Sequence, residues 1–313
     1  MELTFMPNSI KHLTLIAIMM ISSISFSQAA EKVEKPEVLA RHVILIGSDG
    51  MGAYAFEKAK VPHLRKMMKE GAYSLKARSV LPSSSAVNWA SMLMGSDPVL
   101  HGYTEWGSET PEIPSRVVGE TGIFPTIFSL LEKQRPDAKK GVSYTWEGIG
   151  YLFEKPWVDL DYNGYSEEST LENALEFIVD EKPALTFIHF NEPDSIGHEI
   201  GHDTPEYFEK VEMIDGLVGK LLDALKESKM MQDTVIIFTA DHGGIGKGHG
   251  GQTLTEMEIP WIIYGKNVPA RGKLEFPIIT YDTGATIAYI LGLETPDVWR
   301  GKPVTEAFEK DEN

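Results

Sequence analysis

Four short, almost entirely apolar segments constrain the fold of this chain more than any other feature. They are rich in β-branched and aromatic residues, as is typical of strands that are buried on both faces of a sheet. The four segments are His42–Ser48, Leu185–Phe190, Thr234–Ala240 and Pro260–Tyr264. Because segments with helical periodicity lie between them, the sequence predicts an α/β fold, with a mostly parallel central sheet and helices on both faces.

The helical segments are recognised by apolar residues that recur every three or four positions. They are Val61–Glu70, Ile123–Lys133, Leu171–Val179 and, most clearly, Tyr207–Glu227. The stretch from Tyr103 to Pro156 is rich in Gly, Pro, Trp and Tyr, and we expect mostly irregular loops over the edge of the sheet there. No internal repeat divides the chain, and 313 residues suit one large α/β domain.

Charge and cysteine content exclude several classes of function. The formal net charge is −17, and such an acidic chain repels nucleic acid, so we expect no nucleic-acid-binding surface. The chain has no cysteine, which excludes disulfides, thiolate metal ligands and a cysteine nucleophile. Any bound metal must therefore be held by His, Asp, Glu or hydroxyl groups.

The N-terminal sequence is typical of a secretory signal. Residues 1–29 combine a basic edge at Lys11, an apolar run and a Ser-Gln-Ala cleavage site. The alternative is a membrane anchor, but the apolar run is only about a dozen residues long and a spanning helix needs roughly 20. We therefore expect a signal peptide over 1–29, a linker over 30–41 and one domain over 42–313. The mature protein would be exported, to the periplasm or the extracellular space, without a transmembrane segment.

Three aspartates follow the predicted buried strands. Asp49 and Asp241 each end one such segment, and Asp194 comes four residues after another. Ligands of open α/β sheets bind outside the carboxyl ends of the strands, so the three carboxylates could share one site. Each aspartate could instead cap a following helix or turn, which is the commoner role for a single Asp.

Histidines accompany these aspartates. His198 follows Asp194 by four positions, which places both on one face of a helix, and His242 directly follows Asp241. His249 lies between glycines in GKGHGG, where the backbone can bring an imidazole into a narrow site. Imidazole and carboxylate without thiolate favour Zn²⁺, with Mn²⁺ as the alternative, over Ca²⁺.

A candidate nucleophile lies in the segment PSSSAVNW. Ser85 would begin a helix there, and the exposed N–H groups of a helix start bind anions. A serine hydroxyl beside a metal ion loses its proton more readily than a free alcohol. The alternative for Ser83, Ser84 and Ser85 is a simple helix cap.

Five motifs in this order resemble the alkaline phosphatase superfamily, especially its type I phosphodiesterase and nucleotide pyrophosphatase branch. They are SDGMG, PSSSAVNW followed by GSDPVLHG, EPDSIGH, ADHGG and GHGG. The resemblance extends from His42 to about Pro303. Relatives usually carry threonine at the position of Ser85, and serine is also used in the superfamily.

The resemblance implies a site with two zinc ions and one covalent nucleophile. One zinc would be bound by Asp49, Ser85, Asp241 and His242, and the other by Asp194, His198 and His249. Ser85 would attack phosphorus and form a phosphoserine, while Asn88 would contact a phosphoryl oxygen.

The predicted activity is hydrolysis of a small phosphate ester, with a phosphodiester or nucleotide pyrophosphate favoured as the substrate. A phosphomonoesterase is the alternative, because Arg116 or Lys155 could reach the site from the middle of the chain. A secreted metal-binding or glycan-binding protein without catalysis is the alternative from another class. A sulfatase is disfavoured because the chain lacks the Cys or Ser of an x-Pro-x-Arg motif.

Overall fold

A computed structural model of the chain describes residues 37–309. The strands are β1 (His42–Ser48), β2 (Ala72–Arg78), β3 (Lys140–Tyr144), β4 (Leu160–Asn163), β5 (Leu185–Phe190), β6 (Thr234–Thr239), β7 (Glu258–Gly265) and β8 (Gly272–Lys273). The predicted signal peptide, over residues 1–29, lies outside the described residues. None of the helices within 37–309 is both long and apolar enough to span a bilayer.

Residues 37–309 also form ten α-helices. They are α1 (Ala55–Lys58), α2 (Pro62–Glu70), α3 (Ser85–Met94), α4 (Pro98–His101), α5 (Ile127–Gln134), α6 (Glu167–Glu181), α7 (Asp194–Glu199), α8 (Pro205–Glu227), α9 (Leu254–Met257) and α10 (Asp282–Ile290). Short 3₁₀ helices cover Glu147–Tyr151, Lys155–Trp157, Met231–Asp233 and Thr305–Phe308.

The strands form one sheet of eight, in the order β4-β3-β5-β1-β6-β7-β2-β8. β1 pairs in parallel with both β5 and β6, so these three strands end at the same edge. Among the described strands, β7 alone is antiparallel to its neighbours, β6 and β2. The predicted α/β fold with a mostly parallel sheet is confirmed.

Helices cover both faces of the sheet. α8 contacts both α2 and α6, and α3, α5 and α10 contact one another in a second group of helices. α8 has the predicted apolar face, with Val211, Ile214 and Leu217 buried. α3 is buried along its whole length, because it packs between the sheet and α10. Its Trp89 fits over Gly47 of β1, where an added Cβ would lie 2.4 Å from the indole ring.

The middle of the chain differs in part from its prediction. The helix predicted over Ile123–Lys133 is present as α5. The rest of the stretch was expected to form mostly irregular loops over an edge, but it contributes the strand β3, which lies inside the sheet between β4 and β5. The strand was missed because its sequence, KGVSY, has no apolar run. The end of the predicted linker also contacts the domain, since the N–H of Leu39 donates to the carbonyl of Ile290 at 2.9 Å.

Candidate active site

The three aspartates meet at the carboxyl edge of the central strands. Asp49 follows β1, Asp241 follows β6, and Asp194 begins α7 after β5. The N–H of Asp194 donates to the carbonyl of Asp49 at 3.1 Å, and the N–H of Gly50 donates to Oδ1 of Asp241 at 3.1 Å. Gly50 has φ +67°, and a Cβ there would lie 2.7 Å from Asp194. A glycine at this turn therefore lets the strand ends approach one another.

The predicted ligands form two adjacent groups. In each group, one donor atom from each residue lies within 4.8 Å of the others. The first group is Asp49, Asp241 and His242, and the second is Asp194, His198 and His249. The rings of His242 and His249 stack with centroids 3.7 Å apart, so the two groups lie side by side.

The backbone fixes the tautomer of all three histidines in these groups. Each has Nδ1 within hydrogen-bond distance of a carbonyl oxygen, which requires that Nδ1 carries the proton. The distances are 2.8 Å from His242 to Gly243, 3.0 Å from His198 to Lys247 and 3.1 Å from His249 to Ser83. The Nε2 atom of each ring therefore remains as the ligand atom, and all three Nε2 atoms point into the groups.

Several polar atoms in the two groups lack hydrogen-bond partners within residues 37–309, as expected for ligands of divalent cations. Nε2 of His198 and Nε2 of His249 lie 3.1 Å apart, so two lone pairs converge unless one nitrogen is protonated. Oδ1 of Asp194 and Oδ2 of Asp241 are buried without a hydrogen-bond partner among the described residues. Oδ2 of Asp241 is 3.2 Å from Nε2 of His242, but the contact lacks hydrogen-bond geometry. A cation in each group would satisfy these atoms.

Electrostatics support the same conclusion. Burial and repulsion by Asp49 and Asp194 raise the pKa of Asp241 well above its usual value. Burial also acts to raise the pKa of Asp49, but hydrogen bonds from His189 and Trp89 and the charge of His242 lower it below its usual value. Asp49 is therefore the more readily ionised of the two buried carboxylates, and a cation between them would favour the ionised form of Asp241 as well.

Hydrogen bonding and burial shift the pKa values of the histidines in the second group in opposite directions. The hydrogen bond to Asp194, at 3.2 Å, raises the pKa of His198 to about 9 although partial burial opposes it. Burial lowers the pKa of His249, which keeps its Nε2 as an acceptor. The donor set of two imidazoles and one carboxylate suits Zn²⁺ or Mn²⁺.

Ser85 lies beside the first group. Its Oγ is 3.1 Å from Nε2 of His242 and 3.4 Å from Oδ1 of Asp49. Ser83 and Ser84 serve other purposes: the Ser83 hydroxyl donates to the carbonyl of Gly251, and Ser84 is the N-cap residue of α3. Of the three serines, Ser85 is therefore the one whose hydroxyl contacts the candidate metal ligands.

The structure places Asn88 away from the predicted contact with a phosphoryl oxygen. Its side chain is fully buried, and its Nδ2 donates to the carbonyls of Val80, Pro82 and Ser84. Its Oδ1 accepts from the N–H of Val80 at 2.7 Å. Because both amide hydrogens are used by the backbone, Asn88 fixes the loop before Ser85.

A second layer of residues holds Asp49 in place, and the sequence did not reveal it. Nε2 of His189 is 3.2 Å from Oδ2 of Asp49, and Nε1 of Trp89 donates to the same oxygen at 3.0 Å. Both side chains are completely buried. The partner of His189 is therefore a candidate metal ligand, whose other oxygen, Oδ1, faces Ser85.

A cavity of about 560 Å³ opens beside these groups. Its lining includes a proline and two glycines together with Ser84, Thr104, Glu105, Trp106, His198 and His249. Neither Arg116 nor Lys155 lines it, and Lys155 instead forms an ion pair with Asp161 at 3.4 Å.

Sequence comparison finds similar proteins among nucleotide pyrophosphatases and phosphodiesterases. Human ectonucleotide pyrophosphatase/phosphodiesterase family member 1 is 27% identical over 205 residues, covering 58% of this chain and 21% of that protein. The human bis(5'-adenosyl)-triphosphatase is 23% identical over 212 residues, covering 64% and 47%. The chain thus spans about half or less of the length of these relatives.

Solved structures share the fold. Human ectonucleotide pyrophosphatase/phosphodiesterase 5 superposes with a TM-score of 0.70 at 15% identity, covering 85% of this chain and 98% of that one. A 2-O GAG sulfatase also gives a TM-score of 0.70 at 15% identity, covering 88% and 76%. The family model described as type I phosphodiesterase / nucleotide pyrophosphatase matches residues 43–246, which is more than half of the chain. The chain therefore belongs to the type I phosphodiesterase / nucleotide pyrophosphatase family.

Proposed function

We propose that this protein is a metal-dependent phosphodiesterase in which Ser85 is the nucleophile. The observation that carries the proposal is the placement of one serine hydroxyl, 3.1 Å from Nε2 of His242, beside two donor groups with fixed histidine tautomers. Membership of the family supports hydrolysis of phosphoric esters. We propose Zn²⁺ as the ion of both groups, with Mn²⁺ as the alternative.

The reaction proceeds in two displacements. The Ser85 oxygen forms a bond to phosphorus while its proton is lost, and the bond to one ester oxygen breaks, so that an alcohol leaves with a proton. The phosphoserine formed in this way still carries the second ester arm. Water then attacks its phosphorus, which restores the Ser85 hydroxyl and releases that arm as a phosphomonoester. Divalent cations bound to the two groups supply Lewis-acid stabilisation of the attacking and leaving oxygens.

The protein positions the nucleophile through the loop before α3. Asn88 holds the carbonyls of Val80, Pro82 and Ser84, so the backbone that enters the helix is fixed before substrate binds. The N–H of Ala86 donates to the carbonyl of Trp106 at 3.0 Å, so this group of the first turn is not available to a phosphoryl oxygen. Preorganisation of this kind lowers the cost of aligning the nucleophile with phosphorus.

The cavity favours a diester over a monoester. None of the described residues that line it is Lys or Arg, and Glu105 adds a carboxylate. A monoester dianion carries a second negative charge that no side chain there would balance. Diesters carry one negative charge, which the bound cations can balance. The predicted alternative of a phosphomonoesterase is therefore disfavoured.

A substitution pair tests the nucleophile. Ser85→Ala should reduce turnover of bis-nitrophenyl phosphate by at least about 10³-fold, as expected for loss of a covalent nucleophile. Ser84→Ala, one residue earlier, is the matched control and should retain most activity. Acid quenching followed by peptide mass spectrometry should find a nitrophenyl phosphoryl group on Ser85. Full turnover by Ser85→Ala would contradict the mechanism.

A substrate panel tests the reaction class. The purified protein should hydrolyse bis-nitrophenyl phosphate faster than nitrophenyl phosphate or nitrophenyl sulfate, and a chelator should abolish this activity. Faster hydrolysis of the monoester would support a phosphatase, and faster hydrolysis of the sulfate would support a sulfatase. A protein that binds metal but turns over none of the three would be the non-catalytic binding protein.

A further inference from the structure

His202 is a buried histidine whose ring makes no hydrogen bond within residues 37–309. Its side chain has no exposed surface, and both Nδ1 and Nε2 lack a partner among these residues. Buried polar groups are nearly always hydrogen-bonded, because an unpaired one loses its bonds to water without replacement. Burial lowers the pKa of His202 to about 4, although the charge of Asp194 opposes the shift, so the ring is neutral and has one N–H to donate.

A carboxylate oxygen of Asp194 lies close to this ring. Nε2 of His202 is 3.7 Å from Oδ1 of Asp194, just beyond hydrogen-bond distance, and that oxygen is also buried without a partner among the described residues. The other oxygen, Oδ2, lies 3.2 Å from Nε2 of His198 in the second metal group. An unpaired donor and an unpaired acceptor therefore lie side by side, and a small shift of either would join them in a hydrogen bond.

Two glycines make room for the ring of His202. A Cβ at Gly197 would lie 2.6 Å from Nε2 of His202, and a Cβ at Gly244 would lie 2.3 Å from the same atom. Gly197 directly precedes the candidate ligand His198 in α7, and Gly244 comes two residues after the candidate ligand His242. The ring therefore lies between the two chain segments that carry ligands of the second and the first metal group.

The surroundings of His202 hold it in this position. Its N–H donates to the carbonyl of Gly246 at 2.7 Å, and its ring centroid lies 5.3 Å from that of Tyr207. Tyr207 is itself fixed, because its hydroxyl donates to the carbonyl of Gly50 at 2.8 Å and accepts from the N–H of Gly52 at 3.1 Å. A ring that is fixed on several sides can orient a neighbouring carboxylate.

We propose that His202 is a positioning residue of the second metal group, whose Nε2–H donates to Oδ1 of Asp194 when the group holds a cation. The inference rests on the proposed function, because it requires that this group binds a divalent cation. Donation to Oδ1 leaves Oδ2 beside His198 as the oxygen for the cation, since carboxylate ligands are themselves held by outer hydrogen bonds. In the metal-free protein the unpaired groups cost free energy, and cation binding relieves that cost.

Zinc affinity and the stability of the metal-free protein test this role together. His202→Phe keeps a planar ring and removes the donor. In a competition titration with zinc and a chromogenic chelator, it should weaken one of the two bound ions by about 10- to 100-fold and leave the other within about twofold. The Tm of the metal-free variant should equal or exceed that of the metal-free wild type, because an unpaired imidazole is no longer buried. A residue that only supports the fold would lower this Tm.

Three further variants separate positioning from packing. His202→Gln keeps an N–H donor of similar reach and should restore much of the lost affinity. His63→Phe is the matched control, because the ring of His63 also packs on a glycine of a helix, where a Cβ at Gly219 would lie 2.6 Å from its Nε2, and His63 belongs to neither metal group. It should leave both zinc affinities unchanged. His198→Ala removes a ligand of the second group, so His202→Phe should not weaken the remaining ion in that background.

The outcomes distinguish this inference from the proposed function. If His202→Phe binds both ions as the wild type does, or weakens the remaining ion in the His198→Ala background, the positioning role is overturned while the phosphodiesterase stands. A lower Tm of the metal-free protein in both His202→Phe and His202→Gln would also overturn it, because the ring would then support the fold. If the wild type binds no zinc and does not hydrolyse bis-nitrophenyl phosphate, the proposed function itself fails.

Discussion

Removing the hydrogen bond from His189 to Asp49 should weaken the first metal group without touching any ligand. Oδ2 of Asp49 has two buried donors, Nε2 of His189 at 3.2 Å and Nε1 of Trp89 at 3.0 Å. His189→Phe removes one of them and keeps a planar ring of similar size. A hydrogen bond to a charged group contributes about 1.5–3 kcal/mol, and loss of such an outer partner typically costs 10–100-fold in metal affinity. We therefore expect affinity at this group to fall by about 10- to 100-fold.

The assay is a competition titration of the metal-free protein with zinc and a chromogenic chelator. Only one of the two bound ions should be affected, because His189 contacts Asp49 and no residue of the second group. His189→Gln should restore much of the affinity, since the glutamine nitrogen reaches about as far as Nε2 of histidine.

A matched control excludes a general effect of changing a buried histidine. His101 is also fully buried, and it bonds to the Ser91 hydroxyl at 2.9 Å away from both metal groups. His101→Phe should leave both zinc affinities close to those of the wild type. If His189→Phe binds both ions within about twofold of the wild type, then His189 does not position Asp49 and the reasoning is refuted.

Three further predictions concern the same site. Asn88→Ala should lower the free energy of unfolding by about 2–4 kcal/mol and also lower kcat, because buried backbone groups lose their partners. The control Asn173→Ala in α6 should change neither quantity much. Denaturant unfolding measures the stability, and steady-state kinetics measures kcat. Gly47→Ala should displace Trp89 at a cost of about 1–3 kcal/mol and weaken zinc binding, and unchanged affinity would exclude this coupling. Removal of both metals should lower Tm by at least about 10 °C, since each ion at about 100 times its Kd contributes about 2.7 kcal/mol, and an unchanged Tm would argue against two sites.

The centre of the fold could be predicted because its strands are buried on both faces. β1 and β5 have the bounds that their apolar runs predict, and β6 differs by one residue. Strands of this kind carry their signal in every residue. The three aspartates could be placed together for the same reason, since the ends of neighbouring parallel strands share one edge.

Outer strands could not be predicted in this way. β4 alternates between exposed and half-buried residues over four positions, and β8 has only two residues. β2 has a register shift between Ser74 and Ala77, which breaks its period-two pattern. Pairing with neighbours distant in the chain stabilises these strands, and no local pattern records that pairing.

Asn88 and His189 show that spacing within one helix or strand does not by itself predict which groups a side chain contacts. Asn88 is three residues after Ser85, but in the helix it turns back towards the loop and bonds to Val80. His189 pairs in register with Gly47, two residues before Asp49, so the two side chains lie on the same face of adjacent parallel strands. One signal in the sequence could have identified His189. It is a polar residue in a buried strand, on the same face of the sheet as a candidate metal ligand.

Charge balance links the site to its substrate. Asp49, Asp194 and Asp241 bring three negative charges into the site, and no Lys or Arg among the described residues lines the adjoining cavity. Two divalent cations would leave the two groups with one net positive charge, before Ser85 loses its proton. A diester anion balances that charge, whereas a monoester dianion exceeds it by one.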